Sequence, residues 1–347
     1  MTRKIVGIVG AGLSGAVIGR RLAEAGHRVI LMEERSHVAG NCHTERDPRT
    51  GVLLHRYGPH IFHTGNEEVW RYLCLFAEME PYRHRVIARA QGRIYGLPVN
   101  LLTINQFFGQ TFTPSEARDF LDNRRRRDIV EPANFEQQAL SMMGEDLYRG
   151  FFRGYTLKQW GRDPTELPAS ILKRLPMRFD YDDRYFTDTF QRMPALGYTR
   201  MFERMLAHPG IRVEVGVDYF DVKNSIGPLH TVFTGPIDAY FGCRYGKLPY
   251  RSIRFEHEHL PDISQYQRVG TVNFPNDHAY TRITEFKHLT GESHTGTSIV
   301  REFPQDEGDA YYPVPRAANE ALFKRYEALA AAESSVTVVG RLAQYRY

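Results

Sequence analysis

The chain has 347 residues, enough for about two domains. Its 42% hydrophobic and 25% charged residues are the balance of a globular protein, which excludes a disordered chain, a fibrous repeat and a small disulfide-stapled scaffold. Lys and Arg number 45 against 41 Asp and Glu, and the resulting +4 is too small to argue for nucleic acid.

At the start, Arg3 and Lys4 precede a weakly polar run over residues 5–19. The run is shorter than the ~20 apolar residues that cross a bilayer. Its glycines would weaken the helical core of a signal peptide, so neither leader nor membrane span is expected. Instead, residues 4–9 read as a buried strand, 16–25 as a helix closed by Gly26, and 27–32 as a second strand ending in Glu33 and Glu34. Between the first strand and the helix stands a G-x-G-x-x-G of Gly10, Gly12, Ser14 and Gly15, the context that gives this motif meaning. Gly10 permits the turn, Gly12 admits a pyrophosphate, and Gly15 lets helix and strand pack closely. The phosphates would sit on the positive helix end, and Glu33 would accept from a ribose diol. Arg35, Gly40 and Asn41 continue the pattern in a way that resembles the extended fingerprint of FAD-binding folds, so FAD is expected over NAD.

Residues 53–64 read as an irregular loop containing Gly58 and Pro59. His60 and His63 stand three apart, but Pro59 argues against the helix that usually spaces zinc ligands, and no further ligands are evident. No metal is expected; two histidines lining a cofactor pocket is the better reading. Residues 67–80 look helical, and 83–99 alternate around a Gln91-Gly92 turn as a hairpin does. From 101 to about 174 the pattern is helical, with Thr113 and Glu116 as an N-terminal signal. The basic run 124–127 is flanked by Asp119, Asp122, Asp128 and Glu131 and lacks interleaved aromatics, so it reads as a solvated helix face. Residues 211–222 and 251–259 are strand-like, 316–333 helical, and 335–340 a buried strand that would complete the N-terminal sheet. Cys42, Cys74 and Cys243 form no C-x-x-C pair and leave an odd one over, so a reducing, cytoplasmic setting is expected.

Eight blocks spread over the chain resemble the UDP-galactopyranose mutase family in order and spacing: residues 57–64 (YGPHIFHT), 154–161 (GYTLKQWG), 167–176 (LPASILKRLP), 183–188 (DRYFTD), 235–241 (GPIDAYF), 280–283 (YTRI), 311–313 (YYP) and 340–347 (GRLAQYRY). The resemblance implies an α/β protein: a discontinuous FAD-binding Rossmann-like domain (1–80, 197–241 and 316–347), an inserted helical domain (103–180, with a mobile lid at about 161–176) and an antiparallel β-sheet domain (81–102, 181–196 and 242–315). It implies an isomerase that interconverts UDP-galactopyranose and UDP-galactofuranose with no net redox change, the reduced flavin N5 acting as nucleophile on the anomeric carbon. The product would feed cell-surface glycan synthesis. It further implies an external electron donor and a homodimer, with neither nucleic acid nor membrane as partner.

Residue by residue, the resemblance assigns Arg174 and Arg282 to the departing diphosphate and His63 to the face near the sugar. Phe151, Phe152, Tyr155, Thr156, Trp160, Tyr185 and Asn273 would serve the nucleoside, and Tyr312 and Tyr347 the phosphates. His84 stands where some relatives carry Asn in the uridine pocket. Glu33, Glu34 and Arg35 would hold the adenosine half of FAD, Arg341 its pyrophosphate, and Asn41, His60 and Ile61 the isoalloxazine or its linker. The family pattern continues past Tyr347 with a helix whose positive end faces the flavin. A redox flavoenzyme of the amine-oxidase or desaturase type would share the FAD fingerprint but lack the Arg174/Arg282 pair and the Trp160 block. A catalytically inert nucleotide-sugar binder is a third reading.

Overall fold

The computed structural model describes residues 4–173, 176–226 and 229–346. Strand β1 (Ile5–Val9), helix α1 (Leu13–Glu24) and strand β2 (Arg28–Glu33) form the opening unit. Both strands are apolar runs because a parallel sheet is covered on both faces, and Ile8 and Leu31 are fully buried. The sheet has five parallel strands in the order Ile211–Val215, β2, β1, His230–Phe233, Val336–Val338. Its last strand comes from the C-terminal part of the chain, as the apolar run at 335–340 led us to expect.

A second sheet has seven strands, in the order Tyr312–Pro313, Tyr250–Leu260, Thr297–Gln305, Arg282–Glu285, Thr271–Asn273, Val86–Ala90, Arg93–Leu97. Its pairs are antiparallel except Thr271–Asn273 with Val86–Ala90, which run parallel. That exception follows from chain order: the hairpin joins the sheet from across a long helical excursion, and only a crossover permits parallel pairing. The excursion contains Leu101–Phe108, Pro114–Asp122, Phe135–Leu147 and Arg153–Trp160, with a π-helical turn at Tyr148–Phe152. The capping box read at Thr113 and Glu116 is complete. Leu101, Ile104, Leu121, Phe135, Met143 and Leu147 form a core of its own.

Several elements differ from the sequence reading. The helix expected over 67–80 is Glu67–Cys74, because Met79–Pro81 pairs with Phe190–Pro194 and satisfies its backbone there. The loop at 53–64 contains two short strands, Leu53–His55 and Phe62–Thr64. Strand structure stops at Val215; Tyr219–Val222 is a helical turn capped by Asp218. The basic run 124–127 lies beyond its helix, with Arg124, Arg125 and Arg126 paired to Asp146, Asp122 and Asp128. The helix Gly197–Leu206, unseen in the sequence, buries Tyr198, Met201, Phe202 and Met205 against the first core.

The fingerprint glycines have separable roles. A Cβ on Gly15 would lie 1.9 Å from the Gly10 carbonyl oxygen, whereas one on Gly12 meets only the Gly40 Cα at 4.0 Å. Gly15→Ala should therefore lose at least about 1–3 kcal/mol of stability, the range of an overpacked core. Gly12→Ala should lose at most about 1 kcal/mol, the scale of an N-cap change. Urea denaturation of protein stripped of bound nucleotide measures both.

Candidate active site

At the C-terminal end of β1 the strand order reverses, with β2 on one side and His230–Phe233 on the other. Open parallel sheets receive ligands at such a switch point. A cavity of about 620 Å³ opens there, with Gly10, Gly12, Ser14, Glu33, Glu34, Arg35, Asn41, His60 and Arg341 all in its lining. α1 starts at Gly12 with no side-chain cap and no acidic residue in its first turn, so its unpaired N–H groups face the cavity. Gly12 and Gly40 face one another closely enough that a Cβ on Gly40 would come within 3.0 Å of the Gly12 Cα. Glu33 is buried and accepts from the backbone N–H of Ala11 at 2.7 Å and of Arg35 at 3.0 Å. Arg35 donates to Asn41 and to Asp309, both at 2.9 Å, and its guanidinium lies over the Tyr57 ring. Arg341 donates to the carbonyl of Tyr311.

A second cavity of about 460 Å³ shares Asn41, His60 and Arg341 with the first. The register of the seven-stranded sheet builds its floor. Asn273 pairs with Arg282, Arg282 with Glu302, and Glu302 with Phe255. Residues directly opposite in a sheet point to the same face, so four side chains form one row, and all four line the cavity. Arg282 donates to the hydroxyl of Tyr155 at 2.6 Å, and its Nε stands 3.3 Å from a Glu302 carboxylate oxygen. The other Glu302 oxygen and the Asn273 Oδ1 are buried with no hydrogen-bond partner among the described residues. Burial opposes charge on Arg282, yet the Glu302 carboxylate and the Tyr155, Tyr312 and Tyr185 side chains hold its proton well above the ordinary range. Burial pushes the Glu302 carboxyl up against the pull of Arg282. The floor thus carries a firmly charged guanidinium shaped for an anion.

The wall is aromatic and histidine-rich. His63 stacks on Phe186 with centroids 3.6 Å apart and donates from Nδ1 to Asp188 at 2.7 Å. Burial, with Arg282 and His63 adding to it, lowers His84 to about 4. Its Nδ1 is hydrogen-bonded to the Tyr82 hydroxyl at 3.0 Å. His60 is likewise lowered by burial.

Comparison with known proteins assigns the chain to a family. The UDP-galactopyranose mutase profile matches residues 150–347, and an NAD(P)-binding Rossmann-like domain profile matches residues 8–74. A Klebsiella pneumoniae protein named as a probable UDP-galactopyranose mutase is 47% identical, over 100% of this chain and 91% of its own length. The chain belongs to the UDP-galactopyranose mutase family. An Escherichia coli family relative, dTDP-fucopyranose mutase, is 43% identical over 98% of this chain and 93% of its own. A crystal structure of reduced UDP-galactopyranose mutase shares the fold with a TM-score of 0.78, at 16% identity, covering 100% of this chain and 91% of that one.

Of the residues the family resemblance singled out, the second cavity brings together His60, Ile61, His63, Tyr155, Tyr185, Asn273, Arg282 and Tyr312. Gly15 lies beneath the first cavity, against the turn. Four others do not line the cleft. Phe151 is buried against Tyr95 and Phe107, and Phe152 packs on the same helical core. Thr156 and Trp160 are buried too, Trp160 with its ring edge-on to Tyr312. The helix turns one stripe of its face to the sheet, so Tyr155 reaches the cavity while its neighbours fill the core. Arg174 and Tyr347 lie outside the described residues. Glu302, Phe186, Phe255, Tyr57 and Tyr311 line the cavity without having been singled out; Tyr57, Phe186 and Tyr311 do fall inside blocks quoted above. Among the described residues no cluster of three or more His, Cys, Asp or Glu could hold a metal, and no helix is long and apolar enough to cross a membrane.

Two buried histidines of this family member make its stability pH-dependent. His55 is lowered to about 3 and His84 to about 4, in each case mainly by burial. Their folded values lie below the unfolded one, so the unfolded chain takes up protons first. The stability they contribute is full above about pH 6.5 and falls as pH drops towards 4. Each group should cost up to about 1.4 kcal/mol per pH unit in that window. Urea midpoints from pH 7 to 4.5 should show this slope, and His84→Asn should make it shallower by about one proton.

Proposed function

We propose that this chain interconverts UDP-galactopyranose and UDP-galactofuranose on reduced FAD, with no net redox change, and supplies galactofuranose for cell-surface glycans. The observation that carries the reading is the charged Arg282 on the floor of a cavity whose wall is shared with the dinucleotide crevice. Anion grip and cofactor end meet in one cleft. The residues fit a flavin dinucleotide: the uncapped start of α1 and the open space at Gly12 suit a pyrophosphate, Glu33 a ribose diol, and Asn41, His60 and Ile61 the ring end. When bound, reduced flavin supplies the electron pair that displaces UDP from the anomeric carbon.

The protein's part is to hold, orient and keep dry. Arg282 grips the diphosphate, with Arg174 as the second guanidinium by family resemblance. Charge on this group is what a leaving UDP needs and what a returning UDP finds again. Tyr155, Tyr185 and Tyr312 flank the anion and base. His63, oriented by Asp188 and stacked on Phe186, is placed to exchange a proton with a sugar hydroxyl. The aromatic wall excludes water from a cationic sugar, and closure of the 161–176 segment would complete that exclusion. A cytoplasmic homodimer supplied by an external electron donor completes the reading; Cys42, Cys74 and Cys243 are free thiols, as a reducing compartment leaves them.

Anaerobic incubation with UDP-galactofuranose, resolved by ion-pair chromatography, should give UDP-galactopyranose only after dithionite reduction. Equal turnover by oxidised protein would overturn the proposal, and a parallel arm with a dTDP-6-deoxyfuranose tests the E. coli relative's chemistry. Arg282→Ala should lower kcat/KM about 10- to 100-fold while flavin content is unchanged, since a hydrogen bond to a charged group contributes about 1.5–3 kcal/mol.

A further inference from the structure

The Arg282–Tyr155 contact joins a strand of the seven-stranded sheet to a helix of the helical excursion, and something must hold the two in place. Residues 274–280 connect Asn273 to Arg282, which face each other across the sheet. This loop lies against the helix that carries Tyr155, so closely that a Cβ on Gly154 would sit 2.4 Å from the Asn276 Oδ1 and 2.6 Å from the Pro275 carbonyl oxygen. Asn276 donates to the Gly150 carbonyl at 2.9 Å. One turn further on, the Lys158 ammonium donates to the carbonyl of Phe274 and to those of Asp277, His278 and Tyr280 at 3.2, 3.3 and 3.0 Å.

We propose that Lys158 is a positioning residue: its ammonium gathers the carbonyls of loop 274–280 and thereby seats Arg282 against Tyr155 for diphosphate binding. The proposal rests on the mutase reading for the identity of the anion. An ammonium has three protons and no acceptor, so a neutral side chain cannot replace what it does here. Four carbonyl oxygens converging on one point repel each other unless a cation stands among them. Within this loop His278 holds a left-handed backbone at φ 61°. Asn276 ties the near half of the loop and Lys158 the far half, while Arg251 is turned the other way, donating to the Lys158 and Gln159 carbonyls and pairing with Asp306.

The clamp has a titration of its own. Burial lowers Lys158 to about 8, with Asp277 pulling the other way. The charged and titratable groups around it are Asp277 and His278 on the loop, and Arg251 with Asp306 beyond the helix end. The clamp is therefore closed at pH 7 and loses its proton as pH rises towards 9.

Calorimetric titration of flavin-loaded protein with UDP tests this. For wild type the UDP Kd should rise several-fold from pH 7 to 9. In Lys158→Met it should be about tenfold weaker at pH 7, a change equivalent to one disrupted charged contact, and flat with pH, with flavin content and thermal midpoint measured alongside. Unchanged affinity in Lys158→Met, or the same rise with pH in both proteins, overturns the proposal while leaving the mutase reading intact. A wild-type protein that binds no UDP at pH 7 overturns both. If Lys158→Met does not retain flavin, Lys158→Gln is titrated in its place, and UDP affinity equal to wild type at pH 7 refutes the clamp.

Discussion

A half-buried guanidinium that faces a buried carboxylate must have its partners built around it, and that requirement organises the cleft. Arg282 meets Glu302 across one strand pair and Asn273 across the other, and Tyr155 from a different layer of the molecule. Removing Arg282 would leave the Glu302 carboxyl buried without its partner, and burial would push it further towards its neutral form. The register of three strands, the path of the loop at 274–280 and the approach of the helix Arg153–Trp160 all serve this one side chain. A slip of one residue would turn the entire row to the opposite face.

The second organising fact is topological. The dinucleotide crevice exists because β1 has neighbours leading off in opposite directions, and the substrate-sized cavity exists because the seven-stranded sheet is laid across the mouth of that crevice. Asn41, His60 and Arg341 belong to both. The fold alone would support many redox reactions. On the function proposed above, the cation on the far floor is what would distinguish a cleft for a leaving diphosphate from one for hydride transfer.

The N-terminal unit was legible because its signals are local: glycines at fixed spacing, two apolar strands and an acid at the end of the second. The C-terminal strand was legible as a buried apolar run without turn residues. Phe151, Thr156 and Trp160 lie outside the lining of the cleft, a placement no family block conveys, since a block names a stretch of helix but not which stripe faces the cavity. Glu302 carries no signal in the chain, because its importance lies in facing Arg282 across a strand pairing that no window of sequence contains. The strand Met79–Pro81 was hidden for the same reason, as its partner lies more than one hundred residues away. The helix Gly197–Leu206 was missed in a stretch interrupted by turn residues, where the apolar face of Tyr198, Met201, Phe202 and Met205 was not weighed by its period.

The position of Arg341 has a consequence for biosynthesis. The wall that closes the dinucleotide crevice, including Gly340 and Arg341, is more than three hundred residues downstream of the glycine turn it faces. At translation rates of about 5–20 residues per second, the nascent fingerprint waits on the order of 15–65 s before that wall emerges from the ribosome. Until then the strand His230–Phe233 has no neighbour on its outer side, so the first sheet carries an open edge for that interval.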